Sequence, residues 1–72
     1  MIEIFLTNGA TADVVANKIS AFIIASIDDT PRAEKIYTLI ADGIRFTLRS
    51  KGEYDRVRAI LTARRLLAEL NK

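Results

Sequence analysis

The 72-residue chain has no cysteine, histidine, tryptophan or glutamine, one proline and three glycines. Without thiols or imidazoles it has no disulfide, no thiolate nucleophile, no imidazole base, and no zinc or transition-metal site of the usual kinds. No apolar run approaches the ~18 to 20 residues of a membrane span, and the start MIEIFLTNG lacks the basic n-region of a secretory signal. A soluble, untargeted domain is expected, cytoplasmic if natural, with no membrane role. No phosphate-binding glycine loop is present. The one adjacent acid pair, Asp28-Asp29, has no histidine or ligand cluster beside it, so a chain-reversal role is expected rather than a catalytic dyad. The expectation is a non-enzymatic protein with no catalytic residue, no cofactor and no metal.

What is present is apolar residues at half of all positions and an uneven charge distribution. Seventy-two residues suffice for one compact domain, 1–72, and are too few for two with separate cores. Residues 1–43 carry three bases against six acids, and residues 44–72 carry eight against three, so the net +2 conceals a basic second half. A basic half can attract nucleic acid or an acidic partner without being specific for either.

Periodicity supplies the elements. Ile2, Ile4 and Leu6 alternate with Glu3, Phe5 and Thr7, the pattern of a strand with one buried face, and Asn8-Gly9 ends it. Thr11 can cap a helix carrying Asp13 in its first turn, and Ala12, Val15, Ala16, Ile19, Phe22, Ile23 and Ile27 then recur at helical spacing. That predicts a core-facing helix, although its many β-branched residues have poor helix propensity and need tertiary burial to hold it. Pro31 breaks the chain direction. Asp42-Gly43 predicts a two-residue type I′ hairpin that sets Ala41 opposite Ile44, Leu39 opposite Phe46 and Tyr37 opposite Leu48 on one apolar face. The other face pairs Ile40 with Arg45, Thr38 with Thr47 and Ile36 with Arg49.

Ser50, with Glu53 three residues on, fits a capping box that opens a last helix. Val57, Ile60, Leu61, Leu67 and Ala68 fall on its apolar arc, and Arg64 lies within that arc, so it must snorkel outward. The predicted fold is therefore α+β, a βαββα two-layer sandwich: a three-stranded sheet of order 1-3-2 with two helices on one face.

The chain resembles the DinI-like domains of the bacterial SOS response. The likeness rests on Ile2-Glu3-Ile4, on Asp13-Val14-Val15-Ala16 with Ile19-Ser20, Ile23 and Asp28-Asp29, and most closely on the run from Ser50 to Leu61. It implies the βαββα fold and a non-enzymatic modulator binding the RecA recombinase on single-stranded DNA. In that family a strongly acidic stripe on the last helix is thought to mimic DNA. Here the stretch after Ile60-Leu61 has one acid, Glu69, and three bases, Arg64, Arg65 and Lys72, which turns attraction to a phosphate-binding site into repulsion. The lack of Cys, His, Trp and Gln, the Ile/Leu/Val/Ala core and the Asp-Gly turn also fit an artificial sequence designed on a DinI-like backbone, a scaffold with no evolved activity. Ile24 and the β-branched run around it are not what an idealised helix would use.

The candidate partner-binding residues are Arg58, Arg65 and Lys72, recurring every seven residues, with Arg45 and Arg49 on the hairpin. They could contact RecA or another anionic partner, or track phosphates as a small nucleic-acid-binding module. The blander expectation is a solvated face, with Asp55 pairing Arg58 and Glu69 pairing Arg65 across a turn. Phe5, Ile36 and Ile40 beside Arg45 and Arg49 form a second candidate surface, either an apolar patch or a homodimer contact, and strand one is expected to be a free sheet edge.

Overall fold

A computed structural model describes residues 1–71. The chain runs β1 (Ile2–Phe5), β2 (Thr11–Val14), a single 3-10 turn at Ala16–Lys18, β3 (Ile19–Ser26), β4 (Lys35–Ala41), β5 (Ile44–Thr47) and α1 (Lys51–Leu70). The strands are antiparallel and a single α-helix packs on them, so the fold is α+β. β1 and β2 form one hairpin, and β3-β4-β5 a three-stranded meander. An antiparallel bridge between Leu6 and Leu48 joins the two sheets, flanked by bonds from Arg49 N–H to the Phe5 carbonyl (2.9 Å) and from Thr7 N–H to the Thr47 carbonyl (3.2 Å).

The helix expected from Thr11 to Ile27 is absent, and with it the two-helix sandwich and the 1-3-2 order. That segment instead reverses at Asn8-Gly9, where Gly9 has φ +80°, and runs back along β1 with Thr11 opposite Phe5 and Val14 opposite Ile2. After the 3-10 turn it forms β3 along the whole of β4. The physical reason lies in the same residues: Val14, Val15, Ile19, Ile23 and Ile24 lose side-chain freedom in a helix and pack well on a pleated surface. The alternation that would have marked a strand is hidden, because Ala21-Phe22-Ile23-Ile24-Ala25 is apolar on both faces and the register shifts between Ile19 and Ala21. Most of the DinI-like signature between Asp13 and Ser20 thus lies in β2, the 3-10 turn and the start of β3.

The turn and the pairs nearest it are as the sequence predicts, but Ile36 does not pair with Arg49, whose N–H turns to the Phe5 carbonyl. Asp42 and Gly43 both take positive φ (+52° and +76°), as a type I′ turn requires, and the register is Ala41 to Ile44, Ile40 to Arg45, Leu39 to Phe46 and Thr38 to Thr47. Leu48 N–H donates to the Tyr37 carbonyl at 2.7 Å, which extends the pairing past β5. α1 begins where its cap predicts: the Glu53 N–H donates to Ser50 Oγ at 3.2 Å.

The core draws on every strand except β5 and on α1: Ile2, Ile4, Val14, Ile19, Leu39, Ala41, Leu48, Tyr54, Val57 and Leu61 are buried, and Phe46 of β5 packs against them. Only the first half of α1 joins it. Every residue from Thr62 to Asn71 is exposed, including Leu66 and Leu70 as well as Leu67 and Ala68, which the helical spacing had assigned to the packed side. A 20-residue helix spans about 30 Å, longer than the sheet it crosses, and its second half projects, in keeping with a longest dimension of 45 Å.

Candidate functional site

Two charged constellations lie on opposite sides of α1. The first is structural. Glu53 is 4% exposed, the only buried charged residue among those described. Its carboxylate accepts the Phe5 N–H (2.8 Å) on Oε2, Arg56 Nε (2.7 Å) on Oε1 and an Arg56 terminal nitrogen (2.6 Å) on Oε2. That same terminal nitrogen donates to the Glu3 carbonyl at 2.6 Å. The hydrogen bonds from Arg56 hold the Glu53 carboxyl below the usual carboxylate range against the opposing effect of burial. The cap predicts half of this residue's role. Its N–H bonds Ser50, but its side chain reaches strand β1 rather than turning back on Ser50. No sequence signal marks that, because Phe5 is 48 positions away. Arg56 and Arg49 also lie over the Phe5 ring, 5.6 and 5.0 Å from its centroid. Phe5 is therefore covered by two guanidinium groups and does not join Ile36 and Ile40 in an open patch.

The second constellation is a groove of about 320 Å³ between β3 and α1, lined by Ile19, Ser20, Ala21, Phe22, Tyr54, Arg58 and Arg65. Tyr54 forms its floor, edge-on to Phe22 with centroids 5.6 Å apart and tilted against Tyr37 at 5.3 Å. The Arg58 guanidinium lies over both rings, 5.8 Å from Phe22 and 5.5 Å from Tyr54, which orients it along the groove. The groove has two positive charges and no carboxylate.

The ion pairs expected to neutralise these arginines do not form. Asp55 pairs with Lys51 at 3.5 Å instead of Arg58, and no salt bridge joins Glu69 to Arg65 among the described residues. Lys51, one turn before Asp55, takes up its carboxylate, whereas the Arg58 guanidinium lies over the Phe22 and Tyr54 rings. The structure thus brings together Arg58 and Arg65, two of the five candidate partner-binding residues. Arg49 sits at Phe5, across α1 from the groove, and Arg45 pairs with Ile40 on the sheet face away from the helix. Lys72 lies outside the described residues. Arg64, which had to leave the apolar arc, is exposed and reaches the Met1 carbonyl at 3.4 Å.

Asp28 accepts both the N–H (2.9 Å) and the hydroxyl (2.7 Å) of Thr30, bonds that hold its carboxyl below the usual range in an exposed turn. Among the described residues no group of three acidic, cysteine or histidine side chains could hold a metal ion, and no helix is long and apolar enough to cross a membrane. No family model, curated protein or solved structure matches this chain.

Proposed function

We propose that this chain is a non-enzymatic interaction domain that receives an anionic segment of a partner protein in the groove between β3 and α1. The observation that carries the reading is that Arg58 and Arg65 share one aromatic-floored groove whose lining holds no acid, with no salt bridge to either among the described residues. Two guanidinium groups without a salt-bridge partner, the Arg58 one stacked on the rings, are suited to carboxylates, which they bind in a planar, bidentate fashion. The one buried carboxylate among the described residues, Glu53, has both oxygens engaged in holding α1 to β1, so it is a poor candidate for acid–base work.

A nucleic-acid module would use the basic residues as one track. Here Arg45, Arg49 and the Arg58/Arg65 pair face three different ways, so one phosphate backbone would not meet all of them along a single track. A RecA regulator would be one instance of a partner-binding domain, supported by the Ser50-capped helix start that carries the closest part of the resemblance. An artificial scaffold without activity fits the residue inventory less well once the fold is in view. Idealised designs charge or cover an open strand edge and avoid bare leucines such as Leu66, Leu67 and Leu70.

The test is a titration with poly-glutamate at low and high salt. Binding that weakens with salt, is lost in Arg58→Ala/Arg65→Ala and survives in Arg45→Ala is expected. An equal loss in Arg45→Ala would reduce the effect to general charge attraction and refute the groove.

A further inference from the structure

β3 is the outer strand of the β3-β4-β5 sheet, and its eight residues, ISAFIIAS, carry no charge, proline or glycine. Strand edges of this kind are usually guarded by lysine, proline or a bulge, because their unpaired N–H and C=O groups template another strand. The only irregularity here is the register shift between Ile19 and Ala21, at the very start. Ile27 N–H donates to the Glu34 carbonyl, so by the alternation of an antiparallel ladder Ala25, Ile23 and Ala21 also turn their backbone groups toward β4. Phe22, Ile24 and Ser26 then turn theirs outward. Among the described residues no backbone group pairs with this outer edge.

Phe22 and Ile24 lie opposite Leu39 and Tyr37, so their side chains share the face on which α1 packs. An added strand whose residues sit opposite Phe22 would direct every second side chain into the groove that Arg58 and Arg65 line. The intervening side chains would lie beside Ala21, Ile23 and Ala25 on the other face.

We propose that the partner segment is an extended acidic peptide that adds to β3 as a further strand, its carboxylates meeting Arg58 and Arg65 while its backbone pairs with Phe22 and Ile24. This rests on the function proposed above and specifies the occupant. Backbone pairing supplies the general affinity of such strand addition, and the alternate side chains supply its selectivity. Charge separates this occupant from a second copy of the chain. An antiparallel β3-to-β3 dimer would have its two-fold axis near Phe22 and Ile23, the middle of the strand. It would bring both copies' Arg58 and Arg65 to one junction, four positive charges with no acid from either groove.

The probes are three short fluorescent peptides: one alternating valine and glutamate, one with lysine replacing glutamate, and one with glutamate retained but the backbone N-methylated at alternate residues. The valine-glutamate peptide is expected to bind the intact chain, with each of the other two weaker by about tenfold or more, and to slow amide exchange at Phe22 and Ile24. Arg58→Glu/Arg65→Glu is expected to reverse the preference in favour of the lysine peptide, a gain of binding that a misfolded variant could not show. Equal binding of the N-methylated peptide, or no added protection on β3, overturns strand addition while leaving an anion-binding groove in place. No binding by any acidic probe overturns both readings. A dimer by light scattering that protects the same amides and excludes the peptide makes the occupant a second copy and overturns this one, as does an oligonucleotide that displaces the peptide more tightly than the peptide binds.

Discussion

Replacing Glu53 by alanine removes the one buried charge among the described residues and separates three consequences. The Phe5 N–H loses its acceptor, at 2.8 Å, in a partly buried position, which costs about 1–3 kcal/mol. The side chain, 2% exposed, is also withdrawn from packing between α1 and β1, adding about 1 kcal/mol for its buried methylenes. Arg56 loses two charge-assisted bonds, but its side chain is 41% exposed and water replaces much of what it gives up, so its share is small. The expected cost is about 2–4 kcal/mol, a fall in melting temperature of roughly 10–25 °C for a domain this small. Urea unfolding followed by helical circular dichroism measures it.

The pH dependence provides a second readout. Glu53 is depressed in the folded chain by its bonds to Arg56, so it binds a proton less readily there than in the unfolded chain. Its contribution is complete above the unfolded value, about 4.3, and drains away as pH falls through the lower folded value. The intact chain should therefore lose stability below about pH 4.3 more steeply than Glu53→Gln, which has no carboxyl to protonate. Arg56→Met should shrink that loss, because without the guanidinium the folded carboxyl is no longer held as far below its unfolded range and the difference in proton binding that drives the loss narrows. A Glu53→Ala cost below about 0.5 kcal/mol, the range of ordinary surface substitutions, or parallel acid slopes for the intact chain and Glu53→Gln, would refute the view that this carboxylate fastens α1 to β1.

Three further predictions follow from the packing. Leu61→Ala, in the core, should cost about 2–5 kcal/mol, whereas Leu67→Ala on the projecting half of α1 should cost less than about 0.5 kcal/mol by the same urea measurement. Gly43→Ala should cost about 1 kcal/mol through backbone conformation alone, since an added Cβ would meet nothing within 4 Å while φ stays at +76°. Thermal melts of that variant with unchanged hairpin NMR contacts would confirm it. Ser50→Ala should cost about 1 kcal/mol and raise amide exchange at Glu53, the N–H that the hydroxyl holds.

The legible parts of the fold are those in which a local rule and the tertiary outcome agree. Asp42-Gly43 needs positive φ at two successive residues, which few other pairs supply, so turn, register and the Leu39 face all follow from two residues. Ser50 and Glu53 place the start of α1 to within a residue for the same reason. Between Thr11 and Ser26 two local rules conflict, since the spacing of apolar residues fits a helix and their β-branching fits strands. The decision falls to partners far along the chain: β1 offers Ile2 and Ile4 to β2, and β4 offers a seven-residue edge to β3. The candidate site was visible only as a list of basic residues. Arg58 and Arg65 share the helix face that lies against the β3 edge, and Arg45 and Arg49 do not, a difference that sequence spacing cannot express.

By itself, then, the sequence determined the absence of thiol and imidazole groups, the β4-β5 turn, the cap of α1 and the basic character of the second half, because each is set by residue types alone or by residues within a few positions of one another. Only the tertiary structure decided that residues 11–26 extend into strands, that Glu53 closes onto the Phe5 amide, and that half of α1 stands clear of the core. Those outcomes are set by which surfaces meet across long stretches of chain, where burial and hydrogen-bond satisfaction outweigh the few tenths of a kcal/mol per residue that local preference contributes.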